Sequence, residues 1–107
     1  MNKRTSLFIR EHLQKGEDYI QSMWRAYRRH CLKKGYRPPS RQSFGNYIWM
    51  LKKLGLIEFV RAEKGLKGTV RHYYRLNQAR INDKAWKDPA KALGLRVNRE
   101  SIKPIMD

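Results

Sequence analysis

The sequence predicts an α+β fold, in which three helices precede a two-stranded β-hairpin and a C-terminal extension contains a short further helix. The first observation is an apolar side chain at every third or fourth position through residues 40–54, the periodicity of an amphipathic helix. The second is Gly55, which directly follows the last periodic residue, as a helix stop does. The third is a pair of runs rich in β-branched and aromatic residues, 56–61 and 69–76, which are typical of strands.

The helix predicted over residues 40–54 has two faces of different character. Pro38 and Pro39 end any preceding helix, and Ser40 can then accept a hydrogen bond from an early backbone N–H as the N-cap. The apolar face consists of Phe44, Tyr47, Ile48, Leu51 and Leu54. The opposite face consists of Arg41, Gln42, Asn46, Trp49, Lys52 and Lys53. We expect this polar face to be exposed, and its Arg, Gln and Asn side chains are of the kind that pair with guanine and adenine edges.

A basic β-hairpin is predicted directly after this helix. Gly65 and Gly68 lie between the two strand-like runs, and we expect both to adopt the positive φ angles of a tight connection. The cations around the turn are Arg61, Lys64, Lys67 and Arg71. Because edge strands also carry lysine to block aggregation, these charges indicate contact with an anion only in combination with the basic helix beside them.

Two further helices are predicted ahead of residue 38. We expect Thr5 or Ser6 to cap the first, which ends near Gly16, and Glu17 with Asp18 to open the second. The predicted buried stripe of the second helix consists of Ile20, Met23, Trp24, Tyr27 and Cys31. Its other face carries Arg25, Arg28, Arg29, Lys33 and Lys34. Since no acidic residue follows Asp18 on this helix, we expect the basic face to contact phosphates.

Residues 5–76 resemble the winged helix-turn-helix superfamily. The segments Pro-Pro-Ser-Arg-Gln-Ser-Phe (38–44) and Leu-Lys-Lys-Leu-Gly-Leu-Ile (51–57) are similar to those of small DNA-binding proteins of archaea and of archaeal viruses or plasmids. The resemblance implies duplex DNA binding, with the third helix in the major groove and the hairpin wing (61–71) near the minor groove or the backbone. Members of this superfamily often have a short strand between their first two helices. Here Gly16 leaves little room for one, so we expect a sheet of two strands.

The charge of the chain indicates a polyanionic partner. The 107 residues carry a net charge of +16, and the sequence pI is near 10.5. Residues 1–76, the predicted DNA-binding domain, hold 18 Lys and Arg against 5 Asp and Glu, whereas residues 77–107 hold 7 against 4. The excess charge therefore belongs to the domain and not to a basic tail. A positive charge of this size indicates nucleic acid as the partner first and an anionic membrane second.

Residues 77–107 are predicted to form an extension that docks or dimerises. Asp88 and Pro89 are a cap and first-turn pair for a short helix that runs through Leu93 and stops at Gly94. The apolar side chains that need a surface to pack on are Trp86, Leu93, Leu95, Val97 and Ile102. They either pack on the parent domain, which is the preferred alternative, or form the contact of a homodimer.

The sequence shows no pattern of catalysis, of a cofactor or of a membrane protein. His12, His30 and His72 lie in three different elements without a Cys or carboxylate at metal-ligand spacing. Cys31 is the single cysteine, no apolar run approaches the ~20 residues of a membrane span, and the start lacks the apolar core of a secretion signal. We therefore expect a cytoplasmic, nucleoid-associated protein with no enzyme activity, no metal, no cofactor and no small-molecule ligand.

The sequence thus predicts a sequence-specific duplex DNA-binding protein with the character of a transcription regulator. The base contacts are assigned to Arg41, Gln42 and Asn46. The phosphate contacts are assigned to Arg25, Arg28, Arg29, Arg37, Ser40, Ser43, Lys52 and Lys53. The wing contacts are assigned to Arg61, Lys64, Lys67 and Arg71.

Two other functions fit the same sequence. Trp49, Tyr36 and one of Tyr73 and Tyr74 are expected near the basic surface, while strand alternation turns the other tyrosine of that pair to the core. Because exposed aromatic rings stack on unpaired bases, an RNA-binding or ribosome-associated winged-helix protein is the main alternative. An architectural protein that binds DNA without sequence preference requires only the charge.

Overall fold

The computed structural model of the chain describes residues 3–94 and has an α+β fold, with several helices and a three-stranded antiparallel sheet. The helices are α1 (Lys3–Gln14), α2 (Ile20–Lys34), α3 (Arg41–Lys53) and α4 (Pro89–Ala92). The strands are β1 (Asp18–Tyr19), β2 (Ile57–Lys64) and β3 (Val70–Leu76). Single 3₁₀ turns cover Leu66–Gly68, Gln78–Arg80 and Lys84–Trp86.

Helix α1 begins earlier than the sequence predicts. Thr5 and Ser6, the expected caps, lie inside the helix and are buried. The Thr5 hydroxyl donates a hydrogen bond of 2.9 Å to the hydroxyl oxygen of Tyr27 on α2. Thr5, Ile9 and Leu13 follow one another at intervals of four residues, so they share one buried helix face. Thr5 therefore joins α1 to α2, and the prediction that it caps α1 is wrong.

The sheet contains a third strand, contrary to the prediction of a two-stranded hairpin alone. Asp18 pairs with Tyr74 and Tyr19 pairs with Tyr73, so β1 lies beside β3 in a sheet of order β1-β3-β2. The strand has only two residues and follows Gly16, whose φ of 143° is open to glycine and rarely to other residues. With Gly16 in this conformation, the chain has room for a short strand between α1 and α2, where the sequence indicated none.

Asp18 fixes the junction between β1 and α2. Its Oδ2 atom accepts a hydrogen bond of 2.8 Å from the hydroxyl of Ser22 and lies 2.8 Å from Nε2 of His12. Its Oδ1 atom accepts from the backbone N–H of Tyr19 at 2.9 Å. Neither Glu17 nor Asp18 lies in α2, because Asp18 belongs to β1 and the helix begins only at Ile20. The expectation that these two residues open α2 is wrong.

The apolar faces predicted for α2 and α3 form the core. The buried residues of α3 that the periodicity predicts are Phe44, Ile48 and Leu51. The buried residues of α2 that it predicts are Met23, Tyr27 and Cys31. These side chains pack with Ile9, Leu13, Leu56, Ile57, Tyr74, Leu76 and Trp86. Because α3 is held in the core along one side, its opposite side is fixed toward solvent.

Residues 77–94 pack against the elements before them. Trp86 is fully buried, and its Nε1 donates to the carbonyl oxygen of Arg80 at 2.9 Å. The side-chain amide of Asn77 donates to the carbonyl oxygen of Gly55 at 2.8 Å, directly behind α3. The apolar residues Leu95, Val97 and Ile102 lie outside the described residues. Between residues 3 and 94, none of the helices has the length and apolar character needed to cross a membrane.

Candidate nucleic-acid interface

Helix α3 presents a polar face to solvent. Ser40 caps the helix, since its hydroxyl oxygen accepts a hydrogen bond of 3.1 Å from the backbone N–H of Ser43. Arg41, Gln42 and Asn46 are exposed, as predicted. At 3.6 residues per turn their side chains lie within an arc of about 140°. They can therefore contact one surface together.

The connection from α2 to α3 is held against α2. Gly35 ends α2 with a φ of 78°, a left-handed conformation that suits glycine. The Nε1 atom of Trp24 then donates to the carbonyl oxygen of Pro39 at 3.0 Å, one residue before the cap of α3. This bond fixes the start of α3 relative to α2, and the exposed Arg37 lies in the same connection.

The solvent-facing side of α2 is basic from Arg25 to the end of the helix. The exposed cations of α2 and α3 are Arg25, Arg28, Arg29, Lys33, Lys34, Arg41, Lys52 and Lys53. Neither α2 nor α3 contains an acidic residue. Among the described residues, carboxylates form ion pairs with Arg61, Arg75 and Arg80, and Asp18 lies 2.8 Å from Nε2 of His12; none of these partners belongs to α2 or α3. The cations of α2 and α3 are therefore not neutralised by a carboxylate of the described chain, and they generate a field that attracts anions.

A lysine in a left-handed conformation forms the tip of the β2–β3 hairpin. Lys67 has a φ of 58° and a ψ of 34°, and Gly68 has a φ of 77°. Gly65 was expected to have a positive φ, but its backbone is extended at a φ of −95°. Glycine is favoured there for a different reason, because a Cβ atom would lie 2.6 Å from Oγ1 of Thr69. Lys64 and Lys67 are both exposed at the tip.

Arg61 differs from the other predicted wing cations because it bonds to carboxylates of its own chain. Its guanidinium forms ion pairs with Glu63, at 2.6 Å, and with Glu17. It also lies 4.3 Å from the centre of the Tyr73 ring. The hydrogen bond to Glu63, followed by the one to Glu17, raises the pKa of Arg61 above its ordinary value. Arg61 thus ties the hairpin to the segment that precedes β1.

A pocket of about 280 Å³ opens where α2, α3 and β3 meet. Each of these elements contributes an arginine to it. The other polar lining residues include Gln21, Thr69 and His72, and the arginines are Arg25, Arg41 and Arg71. The guanidinium of Arg71 lies 4.7 Å from the centre of the Tyr19 ring, and that ring lies 5.3 Å from the ring of Tyr73. No carboxylate belongs to the described residues that line the pocket. The pocket is therefore a concave, positively charged part of the surface.

Two large aromatic side chains are exposed beside lysines. Trp49 on α3 is 51% exposed, and the Nζ atom of Lys53 lies 6.0 Å from its ring centre. Phe59 on β2 is 45% exposed, and the Nζ atom of Lys52 lies 5.9 Å from its ring centre. Of the two neighbouring tyrosines of β3, Tyr74 is the one that faces the core. Aromatic rings and cations of this kind also suit unpaired bases.

The three histidines lie in different elements, as predicted, and the rings of His12 and His30 both contact the ring of Phe8. His12 pairs with Asp18, whereas His72 is exposed and its ring meets the edge of Phe59 at a centroid distance of 5.7 Å. Within the described range, no three residues of the His, Cys, Asp and Glu types form a group that could hold a metal ion. Cys31 is a buried free thiol in the core.

Several residues of this surface were not predicted from the sequence. Tyr19 and Gln21 line the pocket, and Glu17 holds Arg61. Their positions depend on β1, and a strand of two residues is too short to produce a period-two pattern. No sequence signal would have identified them.

The sequence was compared with models of protein families and with curated proteins, and neither comparison gave a match.

Proposed function

We propose that this protein binds duplex DNA as a winged helix-turn-helix protein and regulates transcription through sequence-specific contacts. Helix α3 lies in the major groove in this proposal, and the hairpin contacts the backbone or the minor groove. The observation that carries it is the exposed face of Arg41, Gln42 and Asn46, flanked by cations that have no carboxylate partner among the described residues.

The order of the elements supports this proposal. Helix α3 follows α2 after a short connection, and the β2–β3 hairpin follows α3 after only a few residues. Strand β1 lies between α1 and α2, where members of this superfamily often have a short strand. The sequence predicted that this strand is missing, which would have been a difference from the superfamily. The presence of β1 removes this difference.

The exposed side chains divide into two kinds of contact. Gln and Asn can form paired hydrogen bonds with adenine, and Arg can form them with guanine, which gives specificity at individual base pairs. The phosphate contacts are assigned to Arg25, Arg28, Arg29, Arg37, Ser40, Ser43, Lys52 and Lys53, with Lys64, Lys67 and Arg71 on the wing. If about five to seven phosphates are neutralised, log affinity should fall with log salt at a slope of roughly −5 to −6.

Selection from random duplex DNA, with single-stranded DNA and structured RNA as competitors in the same tube, tests the proposal. We expect an enriched duplex motif. A motif with two-fold symmetry would indicate a homodimer, since the spacing of half-sites mirrors protein symmetry. Failure of any duplex to survive the competitors would contradict the proposal.

Substitution of the α3 face then tests the assignment of base contacts. Gln42→Ala and Asn46→Ala should each weaken binding to the selected motif by about 1–3 kcal/mol and leave binding to random duplex unchanged. Gln14→Ala, which removes an exposed glutamine from α1, is the matched control and should change neither. Equal losses on both DNAs would instead support an architectural protein that binds without sequence preference.

A second candidate function is binding of RNA or association with the ribosome. The observation in its favour is the exposure of Trp49 and Phe59 beside Lys53 and Lys52, because rings in a cationic setting stack on unpaired bases. In the competition experiment, RNA that displaces duplex DNA from the wild-type protein would favour this candidate.

A further inference from the structure

The pocket between α2, α3 and β3 brings together three arginines that the sequence assigns to three different tasks. Arg25 was predicted to contact phosphate, Arg41 to contact a base, and Arg71 to belong to the wing. In the structure all three line one pocket of about 280 Å³. Their convergence depends on the tertiary fold, since they lie 16 and 30 residues apart in the chain.

The lining of this pocket suits a small, highly charged anion. Its volume is near the lower limit of pockets that hold drug-sized molecules. Guanidinium groups present several N–H donors in a planar arrangement that matches the oxygens of a phosphate. The side-chain amide of Gln21 adds a further donor, and no carboxylate belongs to the described lining residues. Three positive charges around one cavity repel one another, and a bound anion relieves that repulsion.

One of the three arginines is held in place before any ligand arrives. The Arg71 guanidinium lies over the Tyr19 ring, with 4.7 Å between its central carbon and the ring centre. Tyr19 is itself fixed by its pairing with Tyr73 in the sheet. A side chain positioned in this way loses little conformational freedom when it binds an anion.

We propose that this pocket binds one phosphate group, with Arg25, Arg41 and Arg71 as shared ligands. The inference rests on the proposed function in that the phosphate belongs to the DNA backbone when the protein is bound to DNA. It changes the role of Arg41 from contact with a base to contact with a phosphate. Sequence readout by α3 then depends on Gln42 and Asn46.

A double-mutant cycle on random duplex DNA tests whether the arginines share one ligand. Arg25→Ala and Arg41→Ala should each reduce affinity roughly tenfold, the low end for hydrogen bonds to a charged group. Residues that contact the same group are not additive, so the double variant should lose much less than the roughly hundredfold product of the two. Both side chains are exposed, and circular dichroism checks that each variant is folded.

The pair Arg41 and Lys53 provides the matched control for the cycle. These residues lie at opposite ends of α3, about 18 Å apart at 1.5 Å per residue, so the effects of their substitution should multiply. Lys87→Ala, which removes one exposed charge outside the pocket, corrects for the change in net charge. If the losses of affinity from Arg25→Ala and Arg41→Ala multiply, as those of the control pair do, the shared site is overturned.

Titration with inorganic phosphate separates this inference from the proposed function. The side-chain Nε–H signals of Arg25, Arg41 and Arg71 are followed by NMR, with chloride at equal ionic strength as the reference. If Arg25 and Arg41 are coupled in binding DNA but show no saturable response to free phosphate, the phosphate bound in the pocket belongs to the DNA backbone. A saturable response in a protein that binds no duplex supports the pocket and overturns the proposed function. In a protein that binds duplex DNA, independent effects of Arg25→Ala and Arg41→Ala overturn the shared site whatever the response to free phosphate.

Discussion

Replacing Lys67 with glycine separates the stability of the hairpin from its charge. Lys67 is the non-glycine residue with a positive φ in the described chain, and a side chain in that conformation costs roughly 1–2 kcal/mol. Glycine adopts the conformation freely but loses about 0.5–1 kcal/mol more backbone entropy on folding. We therefore expect Lys67→Gly to leave the free energy of unfolding unchanged or to raise it by up to about 1.5 kcal/mol.

The same substitution should weaken DNA binding, because the Lys67 ammonium is exposed at the tip. If this cation neutralises one phosphate, its removal lowers the magnitude of the salt slope by about 0.9. Between about 1 M and about 0.15 M salt, that difference corresponds to about 0.7 of a decade in affinity. Binding at the lower salt concentration should thus be roughly fivefold weaker on every duplex.

Fluorescence anisotropy with a random duplex of about 20 base pairs, measured over a range of salt concentrations, gives the slope. Urea unfolding of the same samples gives the stability. Lys87→Ala should retain the wild-type slope, since it removes a charge outside the proposed interface. A wild-type slope in Lys67→Gly would place the hairpin tip outside the interface. Loss of stability together with binding would mean that Lys67 acts through the fold.

Two further substitutions test the core. Trp86→Ala removes a fully buried indole, so we expect one urea transition with the free energy of unfolding lowered by about 3–5 kcal/mol; a separate transition for residues 77–94 would contradict this. Burial raises the pKa of Tyr27 from 10.0 to about 12, so its contribution to stability is present below pH 10.0 and is lost as the pH rises through about 12. The loss amounts to roughly 3 kcal/mol. Urea unfolding of Tyr27→Phe at several alkaline pH values should show a smaller loss than wild type, and equal losses would refute the assignment.

The parts of the fold that depend on residues close to one another in the sequence were predicted well. The cap at Ser40, the apolar face of α3 and the stop at Gly55 follow from residues within a few positions of one another. The same reasoning failed for Thr5, whose hydroxyl suits a cap but bonds to Tyr27 on the next helix. Propensity describes what a residue does alone, and tertiary contacts override it.

The parts that depend on strand pairing were not predictable from the sequence. Tyr19 lies opposite Tyr73 only because β1 pairs with β3. The pairing of these two strands also brings Glu17 next to Arg61. The same role in the wing was therefore predicted for Arg61 and Lys67, although Arg61 is paired with carboxylates and Lys67 is exposed. The arginine pocket has the same origin, since no local pattern relates α2, α3 and β3.

The positions of the acidic residues are consistent with the proposal that α2 and α3 bind a polyanion. A net charge of +16 on 107 residues opposes folding through self-repulsion. Glutamates on the exposed faces of α2 and α3 would relieve it, at about 0.2–0.5 kcal/mol for each pair three or four residues apart. Instead, Asp83 caps a 3₁₀ turn, Asp88 caps α4, and Glu17 and Glu63 form ion pairs with Arg61. The charge of α2 and α3 therefore remains available for the polyanion that the proposed function requires.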